Sequence, residues 1–193
     1  LPSQKAPTLL DSRSANERDI LTLIRQRSSL PKAEIAQLTG LSAQSATVII
    51  KRLEADGLVR RLEPIKGGVG QPKVPFGLNE NGAFGIGLKV GRRSFDMTLL
   101  DLKGNVRATL YEKFAYPTVS NLLTFAKRAF NVLIKNLDTD QQRLIRGLGV
   151  AMPFEIWSWA EEAGAPKNEL EEWREFNPQA ALEDLLSLPV LCH

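Results

Sequence analysis

The chain has 193 residues, of which 43% are hydrophobic and 24% are charged, a composition typical of a folded protein with one or two domains. Its apolar runs are far shorter than the ~18 residues that span a bilayer, and it shows no secretory signal, so we expect a cytoplasmic protein without a membrane partner. The single cysteine, Cys192, excludes an internal disulfide framework. The single histidine, His193, leaves no His/Cys cluster, so we predict no catalytic residue, metal or cofactor.

The net charge of +3 is unevenly distributed along the chain. Residues 11–80 contain eleven Lys and Arg against eight Asp and Glu, whereas residues 155–193 contain two against nine. A basic first part favours a module that binds an anion such as nucleic acid. Ordinary solvent-exposed charges would give the same numbers of basic and acidic residues. The charge distribution therefore indicates nucleic-acid binding only together with a sequence motif.

The first 80 residues predict an arm followed by a series of short helices. Residues 1–15 are rich in Pro, Ser and Lys and predict a flexible N-terminal arm. Helices are predicted over 16–27 and 32–38, the second of which ends at Gly40, and Ser42 is a good N-cap for the next helix. Each of these two helices has apolar positions that we expect to be buried: Ile20, Leu23 and Ile24 in the first, and Ile35, Ala36 and Leu38 in the second.

The third predicted helix, residues 43–55, has the clearest periodicity in the chain. Its apolar residues follow the spacing i, i+3, i+4 and i+7 and predict one buried stripe: Ala46, Ile49, Ile50 and Leu53. The opposite face is mostly polar and consists of Gln44, Thr47, Val48 and Lys51, with Ser45 and Arg52 alongside.

Two strands, 58–63 and 73–78, are predicted around a glycine-rich loop at 66–72. Three helices followed by a basic hairpin are typical of a winged helix-turn-helix, and we assign residues 16–80 to this domain. The second helix of such a motif enters the major groove of DNA. The residues that we expect to contact DNA lie on this helix and on the wing: Ser42, Gln44, Ser45, Thr47, Lys51, Arg52, Lys66, Gly68, Gly70, Gln71 and Lys73. A plain helical hairpin, or a winged helix that binds only protein, is the alternative.

Residues 81–193 have a mixed α/β pattern. Strands are predicted over 84–90, 95–102, 106–114, 145–151 and 189–191, and helices over 122–137 and 177–186. The fold class is therefore α+β, a winged helix-turn-helix followed by a mixed α/β lobe.

Several segments resemble the ROK family, which unites transcriptional regulators and sugar kinases. The N-terminal resemblance is carried by residues 19–21, 33–42, 53–59 and, in the wing, 68–72. In the second domain, residues 84–91 and 99–106 resemble the phosphate hairpin of the family's ATPase lobe. Residues 147–153 resemble the family's later Gly-rich strand and turn, and residues 173–190 resemble the segment that leads to the sugar pocket. The resemblance implies an actin-like (ribonuclease H-like) lobe. It also implies a homodimer on a double-stranded DNA operator, and repression of carbohydrate metabolism genes in response to a sugar or sugar-phosphate effector.

The sequence also departs from the family pattern. Lys89 occupies the position at which a kinase of this family has an acidic residue, and Arg93 the position of a threonine. A cation at position 89 cannot organise a magnesium-bound phosphate, so we expect no enzyme activity. The family's Asn-Asp pair would follow His193, and its zinc cluster lies further on, so we expect only part of the ROK domain here. The alternative is a ROK-type sugar kinase with an N-terminal accessory domain.

Overall fold

The structure is a computed structural model that describes residues 13–65, 73–166 and 168–192. The chain divides into two compact units, with the boundary between Gly82 and Ala83. Within the described residues, no helix is long and apolar enough to cross a membrane.

The described residues of the first unit form three α-helices and three short strands, in the order α1 (Ala15–Arg27), β1 (Ser29–Pro31), α2 (Lys32–Thr39), α3 (Ala43–Ala55), β2 (Val59–Arg61) and β3 (Pro75–Leu78). The strands form an antiparallel sheet in the order β1-β3-β2. Each helix contributes fully buried apolar side chains, and β3 adds an aromatic ring: Ile20, Ile24, Ile35, Ala46, Ile50, Leu53 and Phe76.

Strand β1 is a feature that the sequence did not predict. No strand was predicted between the helices at 16–27 and 32–38, yet Leu30 is buried and pairs with Phe76 of β3. A three-residue strand is too short to show the alternation that identifies a strand in a sequence. The strands on either side of the loop are also shorter than expected, and beyond them Ile65 and Lys73 form an isolated bridge.

Two apolar positions in the helices are less buried than expected. Leu38 is 50% exposed because α2 buries Ile35 and Ala36, and at about 100° per residue Leu38 lies on another side of the helix. Ile49 is half-buried, so the fully buried stripe of α3 consists of Ala46, Ile50 and Leu53.

The second unit is a five-stranded sheet with helices. Its elements are β4 (Phe84–Val90), β5 (Ser94–Asp101), β6 (Val106–Lys113), α4 (Val119–Ile134), α5 (Thr139–Gln142), β7 (Ile145–Ala151), α6 (Ala160–Ala163), α7 (Pro178–Leu186) and β8 (Val190–Cys192). The strand order is β6-β5-β4-β7-β8, antiparallel from β6 to β4 and parallel from β4 to β8.

The core of this unit lies on one face of the sheet. Alternate residues of β4 and β5 are buried there, and α4 adds Leu122, Phe125 and Ala129. Trp173 is buried in the same core and donates its indole N–H to the Pro117 carbonyl oxygen at 2.7 Å.

Candidate nucleic-acid interface

A tight turn positions α3 against α2. Gly40 adopts a left-handed conformation (φ 68°) and its N–H bonds the Ala36 carbonyl, which closes α2. Ser42 then caps α3, since its Oγ accepts the Ser45 N–H at 3.0 Å. Ala36 and Ala46 are both buried, and side chains this small allow the two helices to pack closely. These residues form the helix-turn-helix.

The exposed residues of α3 comprise two small ones at its ends, Ala43 and Ala55, and five with longer or polar side chains: Gln44, Ser45, Val48, Lys51 and Arg52. Thr47, which we predicted to contact DNA, is half-buried at the edge of the exposed face. Val48 is 52% exposed and is absent from the predicted contacts, although the helical periodicity places it on the outer face.

The serine hydroxyls at the start of α3 bond each other. Ser42 Oγ donates to Ser45 Oγ at 2.9 Å while it accepts the Ser45 N–H. Ser42 is therefore committed to capping. The Ser45 hydroxyl accepts from Ser42 and retains its own proton for a further acceptor.

Arg52 is held by an ion pair with α1. Its Nη1 lies 3.4 Å from Glu17 Oε1, and the Glu17 side chain is only 5% exposed. Arg13 lies 3.9 Å from the same carboxylate and 2.9 Å from Asp56 at the C-terminus of α3. Arg52 remains 62% exposed, so it has access to a phosphate while the pair restrains its direction.

Further cations lie around the wing sheet. Lys73, a predicted phosphate contact, lies 4.0 Å from Glu34 and is mostly exposed. Arg61 bonds Glu54 through Nε at 2.8 Å and Nη2 at 3.3 Å, and this hydrogen bonding, with the charge of Glu54, raises the pKa of Arg61. Lys32 lies 5.2 Å from the ring centroid of Phe76. Neither Lys32 nor Arg61 was predicted to contact DNA. Both lie near the Phe76 ring of the wing sheet, and this proximity depends on the fold and has no signal in the local sequence.

Four predicted wing contacts, Lys66, Gly68, Gly70 and Gln71, lie outside the described residues. The described part of the unit presents an exposed helix with hydrogen-bonding groups at its N-terminal half and cations at its C-terminal half. Such a helix can contact base edges and phosphates in one groove.

Residues 13–60 match the family model described as winged helix-turn-helix DNA-binding. The chain therefore carries a winged helix-turn-helix DNA-binding domain.

Its structure is similar to that of a ROK family transcriptional regulator, a homologue of the Mlc protein of E. coli, with a TM-score of 0.58 and 16% identity. That likeness covers 92% of this chain and 44% of the regulator. The chain is also 24% identical over 145 residues to the uncharacterised protein y4fQ of Sinorhizobium fredii (strain NBRC 101917 / NGR234), a match that covers 75% of this chain and 37% of that protein. The chain thus spans about two fifths of the length of either relative.

The predicted resemblance to ROK-family regulators is confirmed at the level of the fold. The predicted fold class is also confirmed, with a winged helix-turn-helix followed by a mixed α/β lobe of the actin-like type.

Proposed function

We propose that this chain is the DNA-binding part of a transcriptional regulator and that α3 reads a double-stranded operator from the major groove. The observation that carries the proposal is the exposed face of α3, where the side chains of Gln44 and Lys51 are both exposed in a domain of the winged helix-turn-helix type. Gln44 is suited to pair with adenine, and Lys51 is suited to a phosphate.

The other contacts follow from position and chemistry. Ser45 donates its remaining proton to a base or a phosphate, and Thr47 contacts DNA from the edge of the face. Arg52 and Lys73 neutralise phosphates, and Ser42 orients the first turn of α3. In the wing, Lys66 and the backbone of Gly68, Gly70 and Gln71 approach the phosphates or the minor groove.

The wider assignment rests on the shared fold and the sequence resemblance. We propose an N-terminal arm at 1–15, a DNA-binding domain at 16–80 and part of an effector domain at 81–193. The complete regulator binds its operator as a homodimer in the cytoplasm, and it represses carbohydrate metabolism genes in response to a sugar or sugar phosphate.

Two substitutions on α3 test the proposal on a duplex enriched from a randomised library. Lys51→Ala should weaken binding to all sequences and reduce the slope of log affinity against log salt by about 0.9, the effect of one lost phosphate contact. Gln44→Ala should relax the preference at one base pair by about 1–3 kcal/mol. Lys135→Ala, at an exposed lysine in the second unit, is the matched control for charge.

Fluorescence anisotropy at several salt concentrations measures these effects. Unchanged affinity and unchanged sequence preference in both α3 variants would contradict the proposal. A winged helix that binds only protein would show no salt-dependent affinity for any duplex.

A further inference from the structure

The exposed face of α3 has an apolar residue at its centre. At about 100° per residue, Gln44 and Arg52 lie about 40° to either side of Val48. Ser45 and Lys51 lie about 60° to either side, and the half-buried Thr47 and Ile49 about 100°. Ala55, about two turns later, lies within about 20° of the same direction but carries only a methyl group. The larger side chain at the centre of the exposed face is therefore a valine, with Gln44, Ser45, Lys51 and Arg52 to its sides.

Exposure alone would not assign a role to Val48, because single apolar side chains are ordinary on protein surfaces. Its position is informative because the N-terminal residues of a recognition helix contact base edges in the major groove, and Val48 lies in the N-terminal half of α3. The flanking Lys51 and Arg52 have long side chains that reach outward, while valine is short and requires close approach.

The major groove offers one apolar group that such a side chain can contact, the C5-methyl of thymine. A valine placed over a G·C pair would remove water from the guanine O6 or the cytosine amino group without replacing the hydrogen bond, which is unfavourable. Val48 thus both attracts an A·T pair and rejects a G·C pair.

We infer that Val48 is a specificity-determining residue that contacts a thymine methyl in the operator. This inference rests on the proposed function and adds to it one feature of the operator. Val48 lies one helical turn after Gln44, about 6 Å along α3, so the thymine lies within one or two base pairs of the pair that Gln44 reads.

The experiment replaces each thymine of the enriched duplex in turn with deoxyuridine, which lacks only the methyl group. With the 193-residue chain we expect one thymine per bound site at which this change weakens binding about fourfold. That corresponds to about 0.8 kcal/mol for one buried methyl group. Val48→Ala should bind the thymine and uracil duplexes equally, whereas Val48→Thr, which keeps one methyl group, should retain part of the difference.

Val132→Ala provides the matched control, since Val132 is an exposed valine on α4 of the second unit, and it should behave as the unmodified protein. Circular dichroism confirms that each variant is folded. If the protein binds the enriched duplex selectively but no deoxyuridine substitution changes its affinity, the proposed role of Val48 is wrong, whereas the proposed function is unaffected. A methyl effect that persists fully in Val48→Ala would do the same. If no duplex is enriched and no salt-dependent binding occurs, the proposed function itself fails.

Discussion

Glu17 places a buried negative charge between two helices of the DNA-binding unit. Its Oε2 accepts the Ser14 N–H at 3.0 Å, which completes a capping box at the start of α1. Its Oε1 lies 3.4 Å from Arg52 on α3. One carboxylate therefore both caps α1 and restrains Arg52 on α3.

Replacing Glu17 with alanine should lower the free energy of unfolding of the first unit by about 1–3 kcal/mol. The change removes a cap and leaves Arg52 without this partner. Urea denaturation followed by circular dichroism measures the effect. Glu34→Ala is the control, because Glu34 is more exposed and lies 4.0 Å from Lys73, so its loss should change stability by at most about 0.5 kcal/mol. Equal stabilities of the two variants would show that the Glu17 carboxylate has no special role.

At the scale of residues, local roles were predictable and distant partners were not. Ser42 as an N-cap and Gly40 as the end of α2 follow from residue types that suit those positions. The pairing of Glu17 with Arg52 joins residues 35 positions apart, so it depends on how α1 packs against α3. The centre of the exposed face was predictable from periodicity, but the expected contacts omitted Val48.

The hairpin between β5 and β6 is organised by one buried carboxylate. Asp101 accepts backbone N–H groups from Lys103 and Asn105, the Asn105 side-chain amide and the Arg107 Nε at 2.8 Å. Burial by itself would raise the pKa of Asp101, but the hydrogen bonds from Asn105 and Arg107, with the charge of Arg107, together lower it. The charged form is therefore favoured in the folded protein.

This lowered pKa predicts a pH-dependent stability. A carboxyl group whose pKa is lower in the folded state stabilises the fold above its unfolded pKa, about 3.9 for Asp, and loses this contribution as the pH falls through the folded pKa. Asp101→Asn should lower the free energy of unfolding at pH 7 by about 1–3 kcal/mol and should make the loss below about pH 4 smaller.

Asp140→Asn is the control for this pH dependence, because Asp140 is 91% exposed and has only a 3.4 Å pair with Arg143. Thermal denaturation between about pH 3 and 7 compares both variants with the unmodified chain. An acid-induced loss of stability that is unchanged by Asp101→Asn would contradict the role of this carboxylate.

Among the elements, long periodic segments were predicted well and short ones were not. Helix α3 has the predicted bounds, because a cap, a turn and an apolar stripe agree. Helix α4 begins at Val119 and not at 122, since Thr118 Oγ1 accepts the Asn121 N–H at 3.1 Å and supplies an earlier cap. The four-residue helices α5 and α6 are only about one turn long, which leaves no periodicity to detect.

The mixed sheet of the second unit bears on the kinase alternative. Lys89 is exposed near the end of β4 and lies opposite Asp96 of β5 in the register of the sheet. A lysine at this position cannot coordinate or orient a magnesium ion as an acidic residue would.

We therefore expect no sugar phosphate when the chain is incubated with ATP, magnesium and a panel of hexoses. Product formation is followed by the consumption of ATP and by direct detection of the sugar phosphate. Turnover that disappears in Lys89→Ala would contradict this expectation and would favour a kinase with an accessory domain.

For the whole molecule, the order of elements was sufficient to predict two domains and the class of the first. Three helices before a hairpin indicate a winged helix, and a change to alternating strands near residue 80 indicates a second domain. The structure places the boundary between Gly82 and Ala83. The order β6-β5-β4-β7-β8 depends on pairings between distant strands, such as β4 with β7, for which the sequence alone contains no local signal.

The central claim is that this chain binds double-stranded DNA, and the affinity for a random-sequence duplex as a function of salt tests it most directly. Fluorescence anisotropy with the 193-residue chain should show binding at about 50 mM salt, with log affinity that falls linearly against log salt. The slope should be about −0.9 for each phosphate contacted. With three expected phosphate contacts, from Lys51, Arg52 and Lys73, we predict a slope of about −2.7 or steeper. No binding at low salt, or an affinity independent of salt, would contradict the account.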